Sequence, residues 1–239
     1  DPSSTTNSGT SFSTIKMAVD SARNGDTVLV SEGTYKEKVF FNSNYSSKKL
    51  VFASANANKI KEIKALLPTH FELVTLDEIG FHEDIPETAA TIPGNAIQKT
   101  TYLKDKIGLD CFSDDTGLII PALNGEPGVF SARYAGPQRN ATDNMNLVLE
   151  KLANQSDRSA YFMTTIALWY ENELHLFEGK VAGEIIGEKK GDEGFGYDPI
   201  FVPENQGKTF AEMSMEEKSK FSHRARAFEK MMLFLTEKH

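Results

Sequence analysis

The chain has 239 residues, and 26 Lys and Arg against 34 Asp and Glu give it a formal net charge of −8. This acidic balance argues against a general nucleic-acid partner, whose footprint is usually basic, although a small anionic ligand responds to local charge. No apolar run approaches the about 18–20 residues that span a membrane, so we expect no membrane partner. The single cysteine, Cys111, excludes an intrachain disulfide.

The first 46 residues form a predicted N-terminal appendage, followed by one domain over residues 47–239. Because the chain begins at Asp1 without methionine or a signal-like apolar core, we expect a processed or partial N-terminus. Residues 11–41 carry F-x-T-I-x-x-A-V-D, G-D-T-V-L-V and G-T-Y-K-E-K-V, and they resemble the first coil of a pectinesterase-like β-helix. A solenoid needs several stacked coils, so we expect a vestigial or fused fragment rather than a working carbohydrate module.

From Leu50 onward, strand-like and helix-like patterns alternate along the chain. The predicted strands are 50–53, 71–76, 111–112, 159–170 and 174–186. The predicted helices are 58–67, 92–107, 142–153 and 222–237. The helix at 92–107 has Thr91 as a candidate cap and Pro93 in its first turn. Strands interleaved with helices, with one long hairpin at the end, predict an α/β fold with a mixed sheet.

The first candidate site is a junction between a strand and a helix. A helix N-terminus is a natural seat for an anion, and a lysine there adds positive charge. The alternative interpretation is a capped loop with a surface lysine. The residues of this motif are Ser54, Ala55, Asn56, Ala57, Asn58 and Lys59.

The second candidate site is SDDTG, in which Asp114 and Asp115 are followed by Thr116. Two carboxylates at a strand end suit Mg²⁺, which prefers oxygen ligands and keeps waters and substrate phosphates in its shell. One carboxylate would bind the metal while the other orients or deprotonates a water. Asp-Asp-Thr-Gly is also good turn chemistry, so a plain turn is the alternative.

The third candidate site is GDEGFGYDP, where glycines allow close approach of the backbone to a ligand. Phe195 and Tyr197 offer ring faces for a planar base, Gly196 separates them, and Asp198 can accept hydrogen bonds from ring N–H groups. A lone Gly-x-Gly is weak evidence by itself.

The fourth candidate site is EEKSKFSHRAR, where Ser222 occupies the position of a helix cap. Lys218, His223 and Arg224 cluster as donors around that helix start, and a solvated helix face is the alternative interpretation. Two further candidates flank the helix at 92–107. Glu87 precedes it as a possible metal ligand, and Lys99 lies inside it, where it could point at a phosphate.

These motifs together resemble the inosine triphosphate pyrophosphatase family. They occur in the order of that family over nearly all of residues 50–237. The carrying motifs are VFASANANKIKEIKALL, IPETAATIPGNAIQKT, FSDDTGLIIPALNGEPGVFSARYAG, GFGYDPIF, GKTFAEMS-x-EEKS and SHRARAF. The resemblance implies a mixed twisted sheet in two lobes with a central nucleotide cleft. It also implies Mg²⁺-dependent hydrolysis of a nucleoside triphosphate to monophosphate and pyrophosphate, with ITP, dITP and XTP as substrates, by a cytoplasmic homodimer.

The resemblance also implies roles for individual residues. Residues 54–59 would hold the triphosphate, Asp115 would be the proton acceptor and a metal ligand beside Asp114, and Glu87 would help to hold the metal. Thr116 would touch substrate and residues 195–198 would bracket the base. Lys218, His223 and Arg224 would read the edge of the base by donating to O6.

Three departures and three alternatives accompany this resemblance. Ser54-Ala55 stands for a usual Thr-Gly, Thr116 for a common Ser, and Gly94 for a usual Glu, so a carboxylate is missing at position 94.

The alternatives are a pyrophosphatase for modified pyrimidine nucleotides, a nucleotide-binding protein without catalysis, and a carbohydrate-acting protein suggested by residues 11–41. A panel of substrates separates the first two from the proposed activity.

Overall fold

The computed structural model describes residues 48–68 and 71–237. The chain divides into two compact units, and the larger, Lys49–Leu67 with Leu73–His239, contains the whole of the cavity described below. The predictions for residues 1–46 concern a part of the chain outside the described residues. Within those residues, no helix has the length and apolar character needed to cross a membrane.

The described part of the chain contains six strands and five α-helices. The strands are β1 (Lys48–Phe52), β2 (Phe71–Val74), β3 (Cys111–Ile119), β4 (Ser159–Tyr170), β5 (Glu173–Ile185) and β6 (Phe201–Pro203). The helices are α1 (Ala57–Leu66), α2 (Ile92–Ile107), α3 (Ala141–Lys151), α4 (Met215–Ser219) and α5 (His223–Glu237).

All six strands belong to one sheet with the order β2-β1-β3-β4-β5-β6. β1 and β3 are parallel, whereas β3 with β4, β4 with β5, and β5 with β6 are antiparallel. The sheet is therefore mixed, as the alternation of strands and helices predicts, and the α/β fold class is confirmed.

The bounds of α2 agree with the sequence prediction because local signals fix both of its ends. The Thr91 hydroxyl accepts a hydrogen bond from the backbone N of Gly94 at 3.0 Å, and Pro93 lies in the first turn. At the other end, Gly108 has φ +67° and donates its backbone N–H to the carbonyl of Lys104 at 2.8 Å. Residues with left-handed backbone at this position end many helices.

The prediction of an acidic turn after residues 111–112 is wrong. β3 continues through SDDTG to Ile119, and all of its residues pair in register with β4. Thr116 lies opposite Thr164 and Leu118 opposite Phe162. The backbone ladder from β4, whose paired residues lie some forty to sixty positions further along the chain, overrides the local turn preference, since strand formation depends strongly on context.

The long hairpin between β4 and β5 is confirmed, with a tighter turn than predicted. Only Glu171 and Asn172 separate the strands, with φ +51° and +65°, and Glu173 already pairs with Tyr170. Positive φ at both central residues is the type I′ arrangement that matches the twist of a hairpin. The short elements β6 and α4 were not predicted.

Two hydrophobic clusters form the cores of two lobes, and a cavity lies between them. One cluster contains Ala53 and Leu76, and the other contains Leu118 and Phe162. All four residues also line the cavity, whose volume is about 530 Å³. This cavity is the cleft that the two-lobed fold predicts.

Candidate active site

The cavity brings most of the predicted site residues together. Its lining includes Ser54, Ala55, Asn56, Asn58, Lys59, Glu87, Lys99, Asp115, Thr116, Phe195, Gly196, Tyr197, Asp198, Lys218, His223 and Arg224. The structure places three predicted residues outside this lining. Ala57 is the first residue of α1, Asp114 is fully buried behind the cavity wall, and Ser222 is buried at the start of α5.

The junction between β1 and α1 is a capped loop that also faces the cavity. The Asn56 Oδ1 atom accepts hydrogen bonds from the backbone N of Asn58 at 3.0 Å and of Lys59 at 3.2 Å. The Lys59 side chain is only 13% exposed, and its Nζ lies 3.0 Å from Asp114 Oδ1. The alternative of a surface lysine is therefore wrong, because this cation is held inside the molecule.

The pleat of β3 sends the two neighbouring carboxylates in different directions. Asp114 is inaccessible and contacts Lys59 and Arg224, whereas Asp115 reaches the cavity and contacts Lys99 at 3.2 Å. Lys99 Nζ also donates to the Asp114 carbonyl at 2.7 Å. One strand thus anchors both lysines at the same end of the cavity.

The electrostatic surroundings move the pKa values of the two aspartates in opposite directions. Burial disfavours ionisation of Asp114, but Lys59, Arg224 and Lys99 together hold its pKa below the ordinary value. Burial raises the pKa of Asp115 despite Lys99 and Lys59. Adjacent carboxylates with separated pKa values are a frequent arrangement in acid–base sites.

Glu87 lies on the segment before α2, and the helix holds that segment in place. Asn95 Oδ1 accepts from the backbone N of Ala89 at 2.9 Å, and Asn95 Nδ2 donates to Asp115 Oδ2 at 3.4 Å. Glu87 Oε1 accepts from Lys99 Nζ at 2.8 Å. Although burial opposes ionisation, Lys99 lowers the pKa of Glu87. The carboxylates of Glu87 and Asp115 both contact the ammonium group of Lys99.

Glu62 is a buried ion-pair partner of two predicted site residues that the sequence interpretation missed. It is 8% exposed, forms an ion pair with Arg224, and lies 2.9 Å from Lys218 Nζ. Burial raises the pKa of Glu62, but Arg224 and Lys218 outweigh this effect and lower it. The available signal was spacing, because Glu62 follows Lys59 by one helical turn and shares its face of α1.

Lys218, His223 and Arg224 of the basic run near α5 are buried, so the alternative of a solvated helix face is wrong for these three residues. Arg224 is 1% exposed, and its Nε lies 2.9 Å from Asp114 Oδ2. Lys218 is 6% exposed and donates to Asp198 Oδ2 at 2.6 Å. Ser222 caps the helix as predicted, since its Oγ accepts from the backbone N of Ala225 at 3.1 Å.

A second part of the cavity lining is aromatic. Two cations lie near the ring of Phe195. The Lys218 ammonium is 5.3 Å from the ring centroid, and the Arg224 guanidinium is 5.7 Å from it. Asp198 accepts from the backbone N of Phe195 at 2.8 Å, and a side chain at Gly194 would overlap this carboxylate. Tyr197 is 4% exposed and donates its hydroxyl to the Ser131 carbonyl at 2.8 Å. Phe195 therefore presents a ring to the cavity, while Tyr197 mainly anchors the loop.

His223 is a neutral imidazole held by stacking. Its ring lies 4.6 Å from that of Phe162 with an interplanar angle of 16°, and its buried Nδ1 has no hydrogen-bond partner among the residues that the structure describes. Burial, with Arg224 and Lys218 nearby, lowers its pKa well below the ordinary value. A neutral imidazole has one donor and one acceptor, so His223 is not restricted to donation.

Several lining residues have no counterpart in the sequence interpretation. Phe162 belongs to an apolar strand, where nothing distinguishes a cavity residue from a core residue. The others come from the segment between β3 and α3 and from the first turn of α3, and Ser131 and Ala132 belong to the quoted motif that begins with FSDDTGL. They are Ser131, Ala132, Arg139, Ala141 and Asn144.

Comparisons with known proteins agree with this architecture. The Ham1 family model matches residues 50–234. The dITP/XTP pyrophosphatase of Flavobacterium psychrophilum is 56% identical over 178 residues, which cover 74% of this chain and 94% of the relative. The dITP/XTP pyrophosphatase of Flavobacterium johnsoniae is 54% identical over 188 residues, which cover 79% of this chain and 98% of the relative. The solved structure of the Staphylococcus aureus Ham1 protein has a TM-score of 0.74 and 38% identity, covering 80% of this chain and 100% of that one.

Residues 11–41 lie outside the family match. None of the similarities described above supports their resemblance to a β-helix coil. The segment also falls outside the described residues. Its origin stays a prediction from sequence alone.

Proposed function

The chain belongs to the Ham1 family, and we propose that it hydrolyses the non-standard purine triphosphates ITP, dITP and XTP to monophosphate and pyrophosphate. Such an activity clears deaminated purines from the nucleotide pool. The observation that carries the proposal is the mixed lining of one cavity. Asp115, Lys59 and Lys99 form one charged cluster of that lining, here called the lysine end, and Phe195 with His223 adds aromatic rings to the same cavity.

The lysine end suits a triphosphate. Lys59 and Lys99 converge on the backbone carbonyl of Asp114, at 3.3 and 2.7 Å, so their ammonium groups are close together. The loop of residues 54–56 lines the same cavity and leads into the N-terminus of α1. Phosphoryl transfer depends mainly on positioning and charge neutralisation, which these groups supply.

Asp115 is the candidate proton acceptor. A water oxygen attacks the α-phosphorus and forms a new P–O bond, while the bond from that phosphorus to the oxygen bridging to the β-phosphorus breaks. The water gives its proton to the Asp115 carboxylate, and pyrophosphate leaves with the electron pair. Asp114 has no access to the cavity, so we assign it the positioning of Lys59 and Arg224.

The acidic residues of the lysine end fit a divalent cation. Asp115 and Glu87 both contact Lys99 Nζ, at 3.2 and 2.8 Å, and both present carboxylate oxygens, the ligands that Mg²⁺ prefers. Within the described residues no group of three His, Cys, Asp or Glu could hold a metal, so waters and substrate phosphates would complete the shell. When bound, Mg²⁺ would neutralise phosphate charge and stabilise the leaving pyrophosphate.

The aromatic part of the lining, with Lys218 and Arg224 beside it, supports selection of the base. Lys218 has three N–H donors and Arg224 has five. Some of these donors bond to neighbouring side chains and so fix the two cations in place; the partners are Glu62, Asp198, Asp114 and Thr116. The remaining donors suit O6 of hypoxanthine or xanthine and oppose the N6 amino group of adenine. Sites built on buried polar contacts reject a mismatched base strongly, because its partners are left unpaired.

One assay tests this function. ITP, XTP, dITP, ATP and GTP are incubated separately with the chain and Mg²⁺, and pyrophosphate and orthophosphate are detected independently. We expect pyrophosphate from the first three at rates far above those from ATP and GTP. Orthophosphate as the main product, or equal rates with all five, would reject the proposal. A preference for modified pyrimidine triphosphates would favour that alternative.

We also propose that the chain acts as a homodimer in the cytoplasm, where the nucleotide pool is located. Both expectations come from the family resemblance rather than from contacts in the described residues. Sedimentation equilibrium should give twice the chain mass of 26.5 kDa. A monomer at micromolar concentration would contradict the first expectation.

A further inference from the structure

The buried cations of the cavity are already neutralised by carboxylates. Lys59 pairs with Asp114, and Lys99 pairs with both Asp115 and Glu87. In the same way, Lys218 and Arg224 share Glu62 and are also paired with Asp198 and Asp114. A bound triphosphate brings several additional negative charges, which the paired lysines offset only in part, so a further cation without a close carboxylate partner would add to the neutralisation.

Among the described cations that line the cavity, Arg139 has the weakest ion pairing. Its side chain is 59% exposed, and its ion pair within the described residues joins Nη2 to Glu87 Oε2 at 3.7 Å. This distance is longer than that of a charge-assisted hydrogen bond. Glu87 keeps Lys99 at 2.8 Å on its other oxygen, so its charge stays compensated if Arg139 moves away.

The contacts of Arg139 locate it at the phosphate end of the cavity. A chain of ion pairs runs from Arg139 to Glu87, from Glu87 to Lys99, and from Lys99 to Asp115. The backbone of Arg139 has φ +53°, a left-handed conformation that residues other than Gly, Asn and Asp adopt rarely. An arginine held in this way, one residue before the Asn140 cap of α3, presents its long side chain at the cavity from the solvent side.

We propose that Arg139 exchanges Glu87 for the β- and γ-phosphates of the bound triphosphate. The guanidinium would then complete the neutralisation of the phosphates from the open side of the cavity, opposite the buried lysines. Arginine suits this task because its planar fork bonds phosphate oxygens in pairs. The inference rests on the proposed function, since it takes the triphosphate as the ligand.

The test compares Arg139→Gln with Arg133→Gln, a charge-matched control on the same segment whose guanidinium stacks on Phe130 outside the cavity lining. Calorimetric titration in magnesium buffer measures the binding of inorganic tripolyphosphate and of IMP to the full chain. R139Q should weaken tripolyphosphate binding about ten-fold, the effect of losing one charge-assisted contact, and should leave IMP binding unchanged. R133Q should bind both ligands as the unaltered chain does, and R139K should recover part of the loss.

Two results would overturn the proposal. One is tripolyphosphate binding by R139Q equal to that of R133Q, and the other is an equal weakening of tripolyphosphate and IMP, which would place Arg139 at the sugar or base. Turnover of ITP by the unaltered chain is measured separately. If turnover is absent but R139Q still weakens tripolyphosphate binding selectively, the proposed function fails while the phosphate contact of Arg139 stands.

Discussion

Asp114 and Asp115 are consecutive residues of β3, yet only Asp115 reaches the cavity. Asp114 is completely buried between Lys59 and Arg224, while Asp115 shares Lys99 with Glu87. Removing the two carboxylates should therefore have different consequences. One variant should lose catalysis, and the other should lose stability.

Asp115→Asn should lose most turnover of ITP while the fold is retained. Without the carboxylate, the attacking water has no positioned proton acceptor, and such groups typically contribute about 10²–10⁴-fold. Steady-state pyrophosphate release measures the loss, and the thermal midpoint checks the fold. Turnover close to that of the unaltered chain would remove Asp115 from the mechanism. Tight ITP binding without turnover by the unaltered chain would favour the non-catalytic alternative.

Asp114→Ala should destabilise the chain by about 3–5 kcal/mol, because it leaves the buried Arg224 and Lys59 without their shared partner. The free energy of unfolding in urea measures the effect, with Asp115→Asn as the comparison on the same strand. A loss below about 1 kcal/mol, the size expected for an exposed ion pair, would show that Asp114 does not anchor the two cations.

His223 should make stability depend on pH on the acidic side. The pKa of His223 in the folded chain lies well below 6.5. Its contribution to folding stability is therefore fully present above about pH 6.5. The contribution is lost as the pH falls, because the unfolded chain then takes up a proton that the folded chain does not. The slope approaches about 1.4 kcal/mol per pH unit for this one group. Urea unfolding between pH 7.5 and pH 5 should therefore show a shallower loss for His223→Gln than for the unaltered chain.

His82→Gln is the matched control for that measurement, because the His82 side chain is 74% exposed. The control should follow the unaltered chain across the whole pH range. Identical profiles for all three proteins would mean that His223 takes up its proton as easily in the folded chain as in the unfolded one.

Deleting residues 1–46 should leave kcat and KM for ITP unchanged. The lining of the cavity runs from residue 53 to residue 224, and the described ion pairs that position its charged groups join residues of the same range. Assay of the shortened chain beside the full chain tests the proposed domain boundary. A marked loss of activity at an unchanged thermal midpoint would show that the appendage contributes to the site.

Elements with local signals could be predicted closely from sequence. Thr91, Pro93 and Gly108 fix the ends of α2 by local signals, and the strand predicted at 159–170 as one arm of a hairpin has the same bounds as β4. The short helix α4 also had a signal that was overlooked, since Ser214 and Glu217 form a capping box. β6 spans only Phe201–Pro203, too short for any periodicity to be visible.

The candidate site was predictable as a set of residues but not as a network. The order of the motifs along the chain was enough to predict that the lysines, the aspartates and the aromatic loop lie in one site. It named both Asp114 and Asp115 as catalytic candidates, described Lys218 and Arg224 as donors without naming their carboxylate partners, and passed over Glu62. These gaps share one cause, because the partners of a buried charge depend on residues far away in the chain.

The sequence by itself determined the α/β class, the family and the chemical types at the site, since these depend on periodicity, local capping and the identity of side chains. Tertiary structure decided that SDDTG is a strand, that Glu62 and Asp114 immobilise Arg224, and that Arg139 remains exposed beside Glu87. The physical reason is that strand pairing, burial and the pairing of charges are long-range. Each joins segments that sequence order keeps apart.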